Sequence, residues 1–426
     1  MEFDREIYHK LQKDSKSSKI TILFGARQVG KTYLIREFAK EFAQIHEFNF
    51  QKNKTLGDFF KSTNDPDKIL EFLGIVSGKK IDLNNSLVFF DEIQDCPEAL
   101  NSLKYFAEDY PKAYVVAAGS LLGIYLSQNT FPVGKVEFLN LYPLSFYEFL
   151  DAFGKKDLAE KLLSLKQENN IFHELFIEEI KKYFILGGMP KVLETFLETT
   201  NYQTAREVQE NLITSYKSDF AKYSGPLDAL KILSVFENMP KQLSKENHKF
   251  KFNLLKKGSR FNEFHSAIDW LEHAGLCHKL PIITHVEIPL KIHVEENMFK
   301  LYFLDVGLLG ALAELPLSIF LATEDLFKTF KGAFTENFFL QEFRANRKES
   351  LYCWQGKTSE VDFLYTNEAK LMPIEVKSGE SGKLKSLHFF AQKYSCFWKT
   401  RCSLHKLEIR EDTHLRTIPL YLAALV

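Results

Sequence analysis

One short pattern constrains this chain more than any other. Gly25, Ala26, Arg27, Gln28, Val29, Gly30, Lys31 and Thr32 match GxxxxGK[ST] at every fixed position. An apolar run, Lys19-ITILFG, precedes the pattern, and a helix-prone segment from Tyr33 to Phe42 follows it. In a strand–turn–helix context, glycines let the backbone wrap round phosphates, and the N–H groups of Gly30 to Thr32 point at them from a helix N-terminus. Lys31 would neutralise β/γ-phosphate charge and the Thr32 hydroxyl would hold Mg²⁺. Tyr33 closes this candidate nucleotide-binding segment.

Two further apolar runs, Ser86-LVFFDE and Ala113-YVVAAGS, are short and bounded by polar turns. Such runs alternating with helical segments predict a parallel sheet covered on both faces. The second run ends in Asp91 and Glu92, expected on a strand neighbouring the P-loop strand. At the C-terminal end of a parallel strand they would project into the ligand crevice. Asp91 would hold Mg²⁺ through water, and Glu92 would polarise the water that attacks the γ-phosphate. Ser120 ends the third run; resemblance to P-loop ATPases, where a polar residue here reads the γ-phosphate or positions the water, makes it a candidate for either role. Arg5, on an N-terminal helix, has two readings, a contributor to the nucleotide pocket or a surface residue, of which the second is preferred.

The 426 residues suggest roughly three domains. With 45% apolar and 26% charged residues, bulk disorder and a fibrous protein are excluded. The 40 Phe read as aromatic core filling. Five scattered cysteines without a CxxC pair give neither a disulfide framework nor a zinc site. The N-terminus lacks the apolar stretch of a signal peptide, and the longest apolar run, Tyr114 to Leu126, is too short for a membrane span. A cytoplasmic protein without membrane contact is expected.

Helical periodicity dominates from Leu150 to about Phe220, broken by Gly187-Gly188-Met189-Pro190. A helix over Leu227–Met239, a second carrying Phe261, Phe264, Ile268 and Leu271, and β-prone pieces Leu276-CHKL and Ile283-THVEI have the grammar of a winged helix-turn-helix. Ahead of the second helix, Lys241, Lys245, Lys249, Lys251, Lys256, Lys257 and Arg260 against Glu246 give a local charge of +6, while the whole chain carries −1. Phe250 and Phe252 interleave with them, a pattern suited to DNA phosphates. His265 and His273 lack ligand-like company.

Near the C-terminus, a helix from Phe334 precedes strand candidates Leu351-YCWQ, Val361-DFLYT and Met372-PIEVK, then another helix and further strands. Asp362 lies on the second strand; Glu375 and Lys377 share one face of the third. Glu336 would approach the same edge. This D…ExK order resembles the PD-(D/E)xK nuclease fold. There Asp362 and Glu375 would bind Mg²⁺, which activates water, and Lys377 would position the nucleophile.

The ordered motifs GARQVGKT, FFDEIQ, AAGSLL, LYPLSFYEFL and GGMPKVLETFL resemble the AAA-type ATPases. More narrowly they resemble one bacterial and archaeal family, whose ATPase core precedes a restriction-endonuclease-like domain of unknown function. The resemblance implies ATP as ligand, agreeing with the lack of an NKxD guanine-reading motif. Before LYPLSF the family usually has Gly-Arg, where this chain has Gly134-Lys135. Loss of an arginine acting in trans would weaken catalysis, whereas lysine serves adequately in a structural ion pair; the residues leave both open.

The expected fold is α/β, in four parts. Residues 1–155 form a P-loop AAA-type parallel sheet with helices on both faces, and 156–225 a helical lid. Residues 226–315 form a winged-helix-like domain and 325–426 a nuclease-like α/β domain. The expected function is a DNA-directed ATPase using ATP and Mg²⁺, with homo-oligomers left open and a Mg²⁺-dependent nuclease-like end. The alternative is a nucleotide-dependent switch that binds a protein partner through a catalytically inactive C-terminal recognition domain. The Asp91-Glu92 pair disfavours a small-molecule kinase.

Overall fold

The structure, a computed structural model, describes residues 5–15, 20–124, 136–165, 171–245, 248–318, 332–379 and 384–426. Its residues fall into two compact units. One runs to Tyr142 and includes His273–Gly275; the other comprises Pro143–Glu272 and Leu276–Val426. Gly134-Lys135 lie outside the described residues.

In the first unit five strands make one parallel sheet: β1 (Ile20–Phe24), β2 (Gln44–Asn49), β3 (Ser86–Asp91), β4 (Tyr114–Ala118) and β5 (Val136–Asn140). The spatial order is β2-β3-β4-β1-β5. The strand carrying Asp91 therefore does not adjoin the P-loop strand as expected; β4 lies between them. β3 is buried along its whole length, as its uninterrupted apolar run requires. β2 and β5 offer no continuous apolar run to read, because each mixes exposed and half-buried positions with few buried ones. Phe50, Phe60, Phe90 and Phe106 pack edge-on or tilted in the core beside Ile22, Val88 and Leu103. This is the aromatic core that the Phe content predicts.

The second unit begins with a helical layer and ends in an eight-stranded sheet. Its strands are β6 (Cys277–Ile283), β7 (Val294–Phe303), β8 (Tyr352–Gln355), β9 (Glu360–Asn367), β10 (Lys370–Val376), β11 (Lys399–Ser403), β12 (Glu408–Arg410) and β13 (Leu415–Pro419). Their order is β12-β13-β11-β10-β9-β8-β6-β7. The expected second β-piece, Ile283-THVEI, is not a strand: after Ile283 the chain turns, and the partner of β6 is β7. Nor is this ribbon a free wing, because β6 also pairs with β8. The segments 226–315 and 325–426, read as separate domains, contribute strands to one sheet.

The GGMP breaker has a packing reason. Gly187, at φ 72°, closes the helix His173–Leu186, and a Cβ there would lie 2.1 Å from Asp305 Oδ1. The Gly188 N–H donates to Asp305 Oδ2 at 2.7 Å, and its carbonyl accepts from Leu144 N at 2.7 Å. Tyr183 Oη donates to Leu144 O at 2.5 Å and accepts from Gln341 Nε2 at 2.7 Å. LYPLSF and GGMP thus meet in one buried hydrogen-bonded knot. Burial pushes the Asp305 carboxyl up to about 6, against the pull of its hydrogen bonds.

Candidate functional site

Sheet register brings the N-terminal residues together. Leu23 pairs with Ala118, Ala118 with Asp91, and Asp91 with Asn49. Because all four strands are parallel, the loops that follow leave from one edge. These carry the P-loop, Ser120 and Glu92.

The P-loop backbone adopts conformations few residues accept. Gly25, Gln28 and Gly30 have φ of 147°, 66° and 101°, and the helix starts at Lys31. At Gly25 a Cβ would lie 2.3 Å from Leu141 O. Lys31 folds back, donating from Nζ to Gly25 O at 2.8 Å and Ala26 O at 2.9 Å. Burial lowers its ammonium to about 8, although Glu92 and Asp91 pull the other way. This is a buried cation held by two backbone carbonyls of the loop.

Asp91 is buried and accepts from Asn49 Nδ2 at 2.9 Å and from Glu92 N at 3.1 Å. Burial, with Glu92 next to it, raises its carboxyl above the usual range. Glu92 sits at φ 50°, a left-handed conformation that aims its side chain sharply out of the strand. Its Oε2 accepts from Gln94 Nε2 at 2.7 Å and from Ser120 Oγ at 3.3 Å. Ser120, a candidate for reading the γ-phosphate or positioning the water, thus reaches the Glu92 carboxylate. Asn49 and Gln94 were missed, since neither carries a spacing signal. Arg5 is a correction: it is buried, donating to Val29 O at 3.3 Å and Tyr142 O at 2.6 Å, and so braces the P-loop.

The second unit gathers the C-terminal candidates. One step beyond the Ile374–Phe363 pair, the antiparallel register of β9 and β10 sets Asp362 opposite Glu375. Asp362 Oδ2 accepts from Val376 N at 2.9 Å, and Lys377 Nζ donates to Glu375 Oε1 at 2.5 Å. Glu375 Oε2 is buried without a hydrogen-bond partner. Burial raises both carboxyls, and the facing carboxylate adds to the rise of Asp362. A buried, mutually repelling pair with an orphaned oxygen fits a hard divalent cation.

Glu336 is otherwise engaged. Its Oε2 meets His248 Nδ1 at 2.9 Å, Tyr302 Oη at 2.6 Å and Lys300 Nζ at 3.5 Å. Burial alone would raise its carboxyl, but Lys300 and His248 hold it well below the usual range. Lys300, 1% exposed, also lies 2.6 Å from Glu360 Oε1 and 4.0 Å from Asp362 Oδ1. Sequence reasoning missed it; the signal was a lone lysine inside the apolar run Met298-FKLYFL.

In the basic stretch, Lys251, Lys256, Lys257 and Arg260 are exposed. Phe250 is not available for stacking on bases, being buried and stacked on Phe299. The helix Phe261–His273 turns Phe264, Ala267, Ile268 and Leu271 inward and shows Glu263 and Glu272 to solvent.

Residues 17–150 match a family model described as an AAA domain. Residues 177–318 and 331–421 match families described as domains of unknown function, DUF8612 and DUF4143. No curated protein matches the chain. Among solved structures it is similar to the Walker-type ATPase of Pyrococcus abyssi, at 16% identity over 73% of this chain and 96% of that one, with a TM-score of 0.47. It is also similar to a signal transduction ATPase with a tetratricopeptide repeat sensor from Pyrococcus horikoshii (15% identity, 81% of this chain, 47% of that one, TM-score 0.29). A third is Cdc6p from Pyrobaculum aerophilum (13% identity, 64% and 87% covered, TM-score 0.27). Among the described residues no helix is long and apolar enough to cross a membrane.

Proposed function

We propose that the AAA-type P-loop ATPase unit of this chain binds ATP with Mg²⁺ and hydrolyses it, and that the cycle is directed to DNA. The observation that carries the reading is the register row Leu23–Ala118–Asp91–Asn49, which sets P-loop, Ser120 and acidic pair at one sheet edge. Gly25 to Tyr33 would enclose the phosphates, and Lys31 would trade its carbonyl contacts for β/γ oxygens. Thr32 and Asp91 would hold Mg²⁺, which when bound neutralises charge building on the phosphates. Ser120 and Gln94 fix one oxygen of Glu92, leaving the other to orient a water and take its proton.

The DNA reading rests on the exposed Lys251, Lys256, Lys257 and Arg260. It assigns phosphate contact to this loop, because Glu263 and Glu272 make the following helix repel a duplex. In the second unit Asp362 and Glu375 would hold Mg²⁺ and Lys377 would orient a water, with Glu336 anchoring the surrounding shell. A second reading, a switch that binds a protein partner through an inactive C-terminal domain, is favoured by Lys300. Its buried ammonium already places positive charge beside Asp362 and Glu336.

ATPase rate measured with and without duplex DNA, at several salt concentrations, separates the two. Stimulation that fades with salt supports the first reading; a rate indifferent to DNA, with a log K slope near zero, sinks it.

A further inference from the structure

A different set of metal-donor side chains lies in the turn between β6 and β7, away from both sites above in sequence and in donor type. His285, Glu287 and His293 bring one ligand atom each to within 4.8 Å of one another. His285 Nε2 lies 3.4 Å from Glu287 Oε2, and His293 Nε2 lies 4.0 Å from the same oxygen. The imidazole centroids are 4.7 Å apart, with the rings 66° from coplanar. Two ligands bound tetrahedrally to zinc at their usual bond lengths sit roughly 3.3–3.5 Å apart, so only a small inward movement would close this group on an ion.

The turn is built to hold these side chains outward. Val286 and Leu290 are buried in a core cluster with Ile283, Tyr352 and Trp354. With Val286 turned in, its neighbours His285 and Glu287 must both point out, the consequence of a period of two in extended chain. His293 Nε2 is itself buried and has no hydrogen-bond partner. A buried imidazole nitrogen left without a partner is costly, and a coordinated ion is one way to satisfy it.

We infer that this turn binds one zinc-class transition-metal ion through His285, Glu287 and His293, with water completing the coordination. Two imidazoles and one carboxylate favour Zn²⁺ over Mg²⁺ or Ca²⁺, which take oxygen ligands. The ion would tie the two ends of the turn together, joining His285 beside β6 to His293 beside β7.

The test titrates Zn²⁺ calorimetrically into the full chain in millimolar Mg²⁺, which occupies oxygen-only sites, with Co²⁺ absorption as a second readout. One equivalent of Zn²⁺ uptake and tetrahedral Co²⁺ bands are expected. Both should be lost in His285→Ala and His293→Ala and be unchanged in Asp362→Ala. His285 and Glu287 are exposed, so His285→Ala and Glu287→Gln test ligation without opening the core. No uptake, uptake that survives His293→Ala together with Glu287→Gln, or uptake lost in Asp362→Ala would each overturn the assignment.

Discussion

Lys31 and Glu92 are the residues on which nucleotide chemistry should turn. Lys31→Ala is expected to abolish ATP binding, measured by fluorescent-analogue titration. Because burial brings the Lys31 ammonium to about 8 and phosphate favours its charged form, affinity should fall as pH rises. The expected loss between pH 7 and pH 9 is roughly tenfold. A flat profile would mean that Lys31 does not meet the phosphates. Glu92→Gln should keep binding while slowing hydrolysis by roughly 10²–10⁴, the range for a positioned general base. Hydrolysis at the parent rate would remove Glu92 from that role. At this scale the P-loop and the Asp91-Glu92 pair were legible because GxxxxGK[ST] and a strand ending in acids are local patterns. Asn49, Gln94, Arg5 and Lys300 were not, since each acts on residues distant in sequence or carries no pattern.

Elements obeyed the same division. The buried strands β1, β3 and β4 announce themselves as apolar runs, and the helix Ala333–Asn346 with β8, β9 and β10 appeared in the expected order. β2, β5 and β7 did not, because a half-exposed strand gains its partner only in the sheet. The GGMP segment shows what a breaker is for: Gly187 needs both a positive φ and room beside Asp305. Gly187→Ala should therefore lower stability by on the order of 2 kcal/mol or more, read as a fall in thermal midpoint. Gly154→Ala makes the comparison, since its φ is 69° but nothing lies within 4 Å of an added Cβ. It should cost only about 1 kcal/mol. Equal shifts in the two variants would refute the packing explanation.

At the scale of the molecule, the two proposed readings divide on whether a nucleotide cycle is coupled to nucleic acid. If the second unit cleaves DNA, Mg²⁺- or Mn²⁺-dependent degradation should disappear in Asp362→Ala with Lys377→Ala; equal degradation by parent and variant would remove the site. The sequence by itself determined the P-loop of an AAA-type domain, the acidic pair that ends β3, and the helix–strand order around Asp362 and Glu375. Each is written in contiguous residues whose backbone hydrogen bonds and side-chain period are local. Only the tertiary structure decided that β6 and β7 join the C-terminal sheet, and that Lys300 and His248 claim Glu336. It alone gathered His285, Glu287 and His293 into one turn. Strand pairing and buried charge compensation depend on which distant segments share a low-dielectric interior, and no spacing along the chain records that choice.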